Sequence, residues 1–224
     1  LGGARGGALC DPKRARQWVL QAARLRRPFS VALPTYRCTA GYDQSGRLIG
    51  IAMDSVQPAW PPNTRVLEYS ANANALADLV HDWQRERPAE MCELHWYRIP
   101  VATDTRNWRW PTLVAVMSGR RPEPRFAILR DGANPIDLSL VNEGETDEDL
   151  QASVVASWST DELVAADALA GWQVEAQPRR AVFTVATGHH LRLPPGARRR
   201  IGWLRDRGML SPTLTYENET AALR

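Results

Sequence analysis

The sequence predicts two architectures in one chain, an α/β half followed by an all-β half. Three observations carry this. Helix-period and strand-like segments alternate up to about residue 120. From Arg125 onward the apolar spacing switches to period two. Glycine, proline and asparagine then punctuate the chain at short intervals. At 224 residues with 44% hydrophobic and 24% charged side chains, there is enough apolar material for a core in each half. The expected divisions are an unstructured N-terminus over 1–10, an α/β domain over 11–122, a β-sandwich over 123–206 and a flexible tail over 207–224.

In the first half, Asp11-Pro12 is a helix start, an N-cap acceptor followed by proline at the first helical position. Ala15, Trp18, Val19 and Ala22 recur at helical spacing, and Pro28 ends the segment. Phe29–Leu33 is short and apolar, like a strand buried on both faces of a parallel sheet. The segments 38–43 and 47–53 flank Gln44-Ser45-Gly46 and predict a β-hairpin. A proline-rich loop, 58–62, leads to a strand over 65–69. Ser70 is placed to cap a helix whose buried stripe is Leu76, Leu79, Val80 and Trp83. Met91–Tyr97 is the next strand, and a helix over 111–118 closes the half at Gly119. Strands alternating with helices imply parallel βα units, and two units are too few to close a sheet. The half is therefore either a part of a barrel or a small open sheet whose edge a partner covers.

In the second half Ile136–Val141 alternates cleanly, and segments 150–158, 171–176, 181–186, 190–193 and 200–204 follow. Six or seven short strands at this spacing predict an immunoglobulin-like sandwich.

Composition excludes several functions. The net charge is +3, but Lys13 is the only lysine and the positive charge is almost all arginine, as a GC-rich coding sequence produces. Arg198-Arg199-Arg200 sits in a predicted strand without a nucleic-acid-binding signature, so no nucleic-acid partner is expected. No run of 18 apolar residues predicts a membrane span, and Leu1–Gly7 has no signal-peptide core. Cys10, Cys38 and Cys92 fit neither a disulfide framework nor a zinc site. His189 and His190 are adjacent in a strand and point to opposite sides, so no metal and no cofactor is expected. Nucleophile-elbow, phosphate-loop and zinc-protease motifs are absent.

The stretch from Met91 to Leu113 holds three of the nine tryptophans and is the candidate working site. Function gathers at the carboxyl ends of parallel strands. Those ends are Pro34-Thr35-Tyr36 and Trp96-Tyr97-Arg98, with Asp104 to Trp110 just beyond. Tyr36, Trp96, Tyr97 and Trp108 offer flat apolar faces, and Arg98, Asp104 and Asn107 offer directional hydrogen bonds. Together they suit a sugar ring, with its C–H faces and hydroxyls. Tryptophans that pack a core and an Arg98–Asp104 structural ion pair are the plainer alternative. Glu93, His95 and Tyr97 share one strand face. Glu93 and Asp104, with Glu68 as a third carboxylate, are the candidates for the acid/base pair that glycoside hydrolysis needs.

At Leu33–Tyr36, Trp96–Arg98 with Pro100, Asn107–Pro111 and Ile201–Trp203 the sequence resembles an uncharacterised bacterial family. Its longer members look like a glycoside-hydrolase-type (β/α) barrel followed by a small β domain. The resemblance covers roughly 11–205. It implies a partial (β/α) barrel, the last two βα units with a β-hairpin insertion, and an immunoglobulin-like domain after it. The strands that would carry a glycosidase's acidic residues are absent, so the chain alone is expected to be inactive. The resemblance also implies an oligosaccharide ligand and, by analogy, a periplasmic or extracellular site. The other class of function is a non-enzymatic interaction module, with a protein partner or a homo-oligomer covering the sheet edge.

Overall fold

The computed structural model describes residues 4–53, 58–101, 103–147, 149–150, 152–159, 163–169, 171–189, 191–207 and 211–218. The chain is mostly β, with three short helices among the described residues. It divides into two compact units, Leu1–Pro122 and Glu123–Arg224.

The first unit runs β1 (Ala4–Ala8), α1 (Pro12–Ala23), β2 (Phe29–Pro34), β3 (Arg37–Tyr42), β4 (Leu48–Ala52), β5 (Arg65–Ser70), α2 (Ala73–Arg85), β6 (Met91–Tyr97) and α3 (Trp110–Met117). Local signals placed most of these segments well. Asp11 caps α1 by accepting from the Lys13 and Arg14 amides. Asn72, rather than Ser70, caps α2 by accepting from Ala75 N. Pairing is where expectation and structure part. Only β2 and β6 pair in parallel as successive βα strands would, and they form a sheet of two. β5 joins neither. It pairs antiparallel with β3 and parallel with β1, in a four-stranded sheet of order β1-β5-β3-β4. The expected partial (β/α) barrel is therefore not formed. Apolar periodicity identifies a strand but carries no information about which neighbour it pairs with.

The N-terminal stretch, expected to be unstructured, supplies β1. Its glycines hide it: a Cβ on Gly6 would lie 2.8 Å from the Tyr69 ring, so close backbone approach to β5 requires glycine. The core of this unit lies on one face of the β2–β6 pair. Val31, Leu33, Leu94 and Trp96 meet Leu76, Leu79, Val80 and Trp83 of α2, Leu113 and Val116 of α3, and Val19 of α1. The other face of the pair, with Ser30, Ala32, Glu93, His95 and Tyr97, is exposed.

The second unit holds β7 (Phe126–Asp131), β8 (Ile136–Asn142), β9 (Asp149–Leu150), β10 (Ala152–Ser157), β11 (Leu163–Ala168), β12 (Trp172–Gln177), β13 (Arg180–Val185), β14 (Leu191–Arg192), β15 (Arg198–Asp206) and β16 (Thr213–Asn218). Two antiparallel four-stranded sheets, β12-β13-β10-β16 and β11-β15-β8-β7, enclose one core built on Leu138, Leu140, Val154, Phe183, Ile201 and Leu204. This is not the seven-strand immunoglobulin arrangement, which sets ABED against CFG. β10 lies between β13 and β16, and β15 lies between β11 and β8, so the chain crosses between sheets repeatedly. β9 pairs with β14 apart from both sheets. β16, in the stretch expected to be a flexible tail, packs the Tyr216 ring 4.9 Å from Phe126. Burial pushes the Tyr216 hydroxyl up to about 12. Gly202 marks a bulge in β15. A Cβ there would meet the Phe183 ring and the Asp167 carbonyl, each at 2.4 Å.

Candidate binding site at the end of the parallel strands

β2 and β6 end in register, Pro34 opposite Tyr97. The loop after β6 folds back and is stitched to the segment after β2. Thr35 N donates to Tyr97 O at 2.8 Å, Trp108 N to Thr35 O at 2.9 Å and Arg37 N to Arg106 O at 2.8 Å. Tyr36 and Asn107 form an isolated antiparallel bridge. The Arg98 carbonyl accepts twice, from Thr35 Oγ1 at 2.5 Å and from Asn107 Nδ2 at 2.7 Å. Thr35 and Asn107 are both buried, so this polar pair is structural mortar under the loop.

Arg98 is held on its side-chain end as well. Its Nη2 lies 2.5 Å from Asp104 Oδ2 and donates to Met53 O at 3.2 Å. The other Asp104 oxygen accepts from Arg106 N at 2.9 Å. Asp104 is buried and both its oxygens are engaged, so it orients Arg98. A second charged group lies nearby. Arg37 contacts Glu68 at 3.2 Å, and Arg106 approaches the same carboxylate at 4.0 Å. Cys38 is buried beside them, and burial first of all pushes its thiol up.

On the outside, the Tyr97 ring stands edge-on to Tyr36, centroids 5.7 Å apart and planes at 80°. Tyr97 is 57% exposed, whereas Tyr36 is half-buried. Burial is the foremost cause of a raised Tyr36 pKa.

The structure thus brings together Tyr36, Tyr97, Arg98, Asp104 and Asn107 from the expected set. It turns the two tryptophans the other way. Trp108 is buried in the core and donates from Nε1 to Ala71 O at 3.3 Å. Trp96 packs against the same core. Glu93 lies back along β6 on the exposed face, bonded to Ser30 Oγ at 3.3 Å and His95 Nε2 at 3.1 Å. Glu93 and Asp104 therefore engage separate partners. Sequence reasoning placed Thr35 at a strand end but gave it no role; the structure has its hydroxyl donate to the Arg98 carbonyl. It passed over Met53, whose carbonyl reaches Arg98 from outside any motif.

His190 lies outside the described residues. Among the described residues no group of three His, Cys, Asp or Glu side chains could hold a metal ion, and no helix is long and apolar enough to cross a membrane. The site's resources are one exposed aromatic face, a fixed guanidinium and backbone groups.

Residues 4–102 match a domain of unknown function (DUF3142), and residues 128–207 match a second (DUF8456). Both matches relate the chain to uncharacterised families. No curated protein matches. Among solved structures, chitinase ChiA74 from Bacillus thuringiensis aligns over 82% of this chain and 52% of its own, at 7% identity and a TM-score of 0.23. The chain spans about half the length of that enzyme, and a likeness this slight carries no argument.

Proposed function

We propose that this chain binds a glycan at the end of the β2–β6 pair, and acts by binding rather than by catalysis. One observation carries the reading: an exposed Tyr97 face, propped edge-on by Tyr36, stands beside an Arg98 whose guanidinium is already oriented by Asp104. Stacking on an aromatic face with a neighbouring fixed donor is how a pyranose ring is recognised by shape and by hydroxyls together. Pre-orientation of Arg98 lowers the entropy lost when a ligand arrives. Titrating a broad panel of oligosaccharides into the intact chain by calorimetry tests it. A ligand should be found, and Tyr97→Ala should weaken it by about tenfold, the scale of one aromatic contact. A panel without any binder, or a binder indifferent to Tyr97→Ala, would falsify the reading.

A second reading, a protein-interaction module, is favoured by the two-stranded parallel sheet with one bare face, since parallel sheets are normally covered on both sides. It predicts self-association or co-purification with a partner; a compact monomer by light scattering removes its support.

A further inference from the structure

Helix α1 begins a stretch with charge of one sign. From Pro12 to Tyr42 the chain contains no Asp or Glu, while α1 and the residues just after it carry Lys13, Arg14, Arg16, Arg24, Arg26 and Arg27. Arg16 is bound to Asp82 on α2, and Val19 is buried in the core. Those two contacts set which side of α1 faces inward. The helix leaves Trp18, 62% exposed, and Leu20, 58% exposed, in the open, and Leu25 just beyond its end is 73% exposed. Arg14 stands one turn before Trp18 on the helix, and Leu25 lies in the turn that follows the helix end at Ala23. Lys13, Arg14, Arg24, Arg26 and Arg27 are exposed and form no ion pair among the described residues.

We propose that this face of α1 docks on an anionic lipid bilayer surface without crossing it, an inference that goes beyond glycan binding. The charge states the sign of the partner, because cations precede Trp18 and surround Leu25 along the chain and no carboxylate from Pro12 to Tyr42 offsets them. The exposed indole and leucine state its character. A nucleic-acid backbone would use the cations and leave Trp18 and Leu25 in water. A lipid surface takes both, with the guanidinium groups at the phosphates and the indole at the headgroup boundary. Neither signal anchors a protein alone, and combined they do.

The test is co-sedimentation of the intact chain with vesicles of phosphatidylglycerol and phosphatidylcholine, set against vesicles of phosphatidylcholine alone. Binding is expected to the anionic vesicles only, and to be lost at about 1 M salt, where screening reaches about 3 Å. Substituting Arg24, Arg26 and Arg27 together by Gln should lower partitioning roughly fivefold per charge, on the order of a hundredfold in total. Trp18→Ala should weaken it several-fold. All four side chains are exposed, so an unchanged circular dichroism spectrum should accompany each loss. Tyr97→Ala should leave vesicle binding intact, which separates this surface from the glycan site. Equal pelleting with neutral vesicles overturns the proposal, as does full binding by the triple variant. Binding to duplex DNA without vesicle pelleting overturns it too.

Discussion

The two units differ in what they leave uncovered. Among the described residues of the first, large apolar side chains stand exposed on α1 (Trp18, Leu20), on α3 (Trp110, Val114, Met117), along β4 (Leu48, Ile49, Ile51) and beyond β6 (Ile99, Val101). Among the described residues of the second, only Leu129 and Val164 do. The reason is architectural. Two antiparallel sheets facing each other bury both inner faces, so a sandwich closes its core with its own strands. In the first unit the helices cover one face of a two-stranded pair, and the outer sides of α1 and α3 and much of β4 are left exposed. Isolated exposed apolar residues need no explanation, but a concentration of them does. The contrast teaches that the second unit resembles a finished scaffold, whereas the first carries the surfaces available for recognition.

The sharpest way to break that contrast is to attack the closed core. Phe183 is fully buried between the sheets and packs beside Gly202. Phe183→Ala should destabilise the second unit by about 3–5 kcal/mol, read as a lower urea midpoint for the far-ultraviolet β signal. A midpoint unchanged within error would mean that the sandwich core is not what holds this unit. In the first unit, local devices should count for more moderate amounts. Asn72 accepts from Ala75 N at 3.0 Å at the start of α2, so Asn72→Ala should cost about 1 kcal/mol, and Asn72→Asp should recover most of it. Failure of the aspartate to rescue would show that the cap is not the source of the loss.

The smallest effect concerns pH. Hydrogen bonds from Arg121 to Asp78, at 2.7 and 2.6 Å, hold that carboxyl below its ordinary value near 3.8. A depressed carboxylate pKa contributes stability that is complete above the unfolded value and disappears as pH falls through the folded one. Both side chains are well exposed, so solvent screening keeps the contribution slight. Asp78→Asn should therefore lower stability slightly at neutral pH and match the parent chain in acid. A difference that persists undiminished at low pH would assign the effect to packing instead.

Much of the local structure was legible in the sequence. Asp11-Pro12 announced α1, the stripe Leu76, Leu79, Val80 and Trp83 announced α2, and period-two alternation announced β8. At the site, proximity of Tyr36, Tyr97 and Arg98 followed from their places after adjacent strands. The direction of the tryptophans did not follow, because residues on a strand and in a loop turn inward or outward according to what packs above them. Trp108 is buried because the loop over 98–109 is sewn onto 35–37 by backbone hydrogen bonds, and nothing in its own neighbourhood encodes that fold-back.

What the sequence determined by itself was the identity of most segments, the cap of α1, the hairpin turn between β3 and β4, and the charge of one sign along α1. These depend on interactions within a few residues, where spacing and side-chain type are sufficient. What only the tertiary structure decided was pairing: β5 beside β3 and β1, β16 as part of a sandwich, β2 and β6 as a sheet of two. Backbone hydrogen bonds are chemically the same for every partner, so the choice among partners rests on long-range packing, as Tyr69 over Gly6 and Phe183 against Gly202 show.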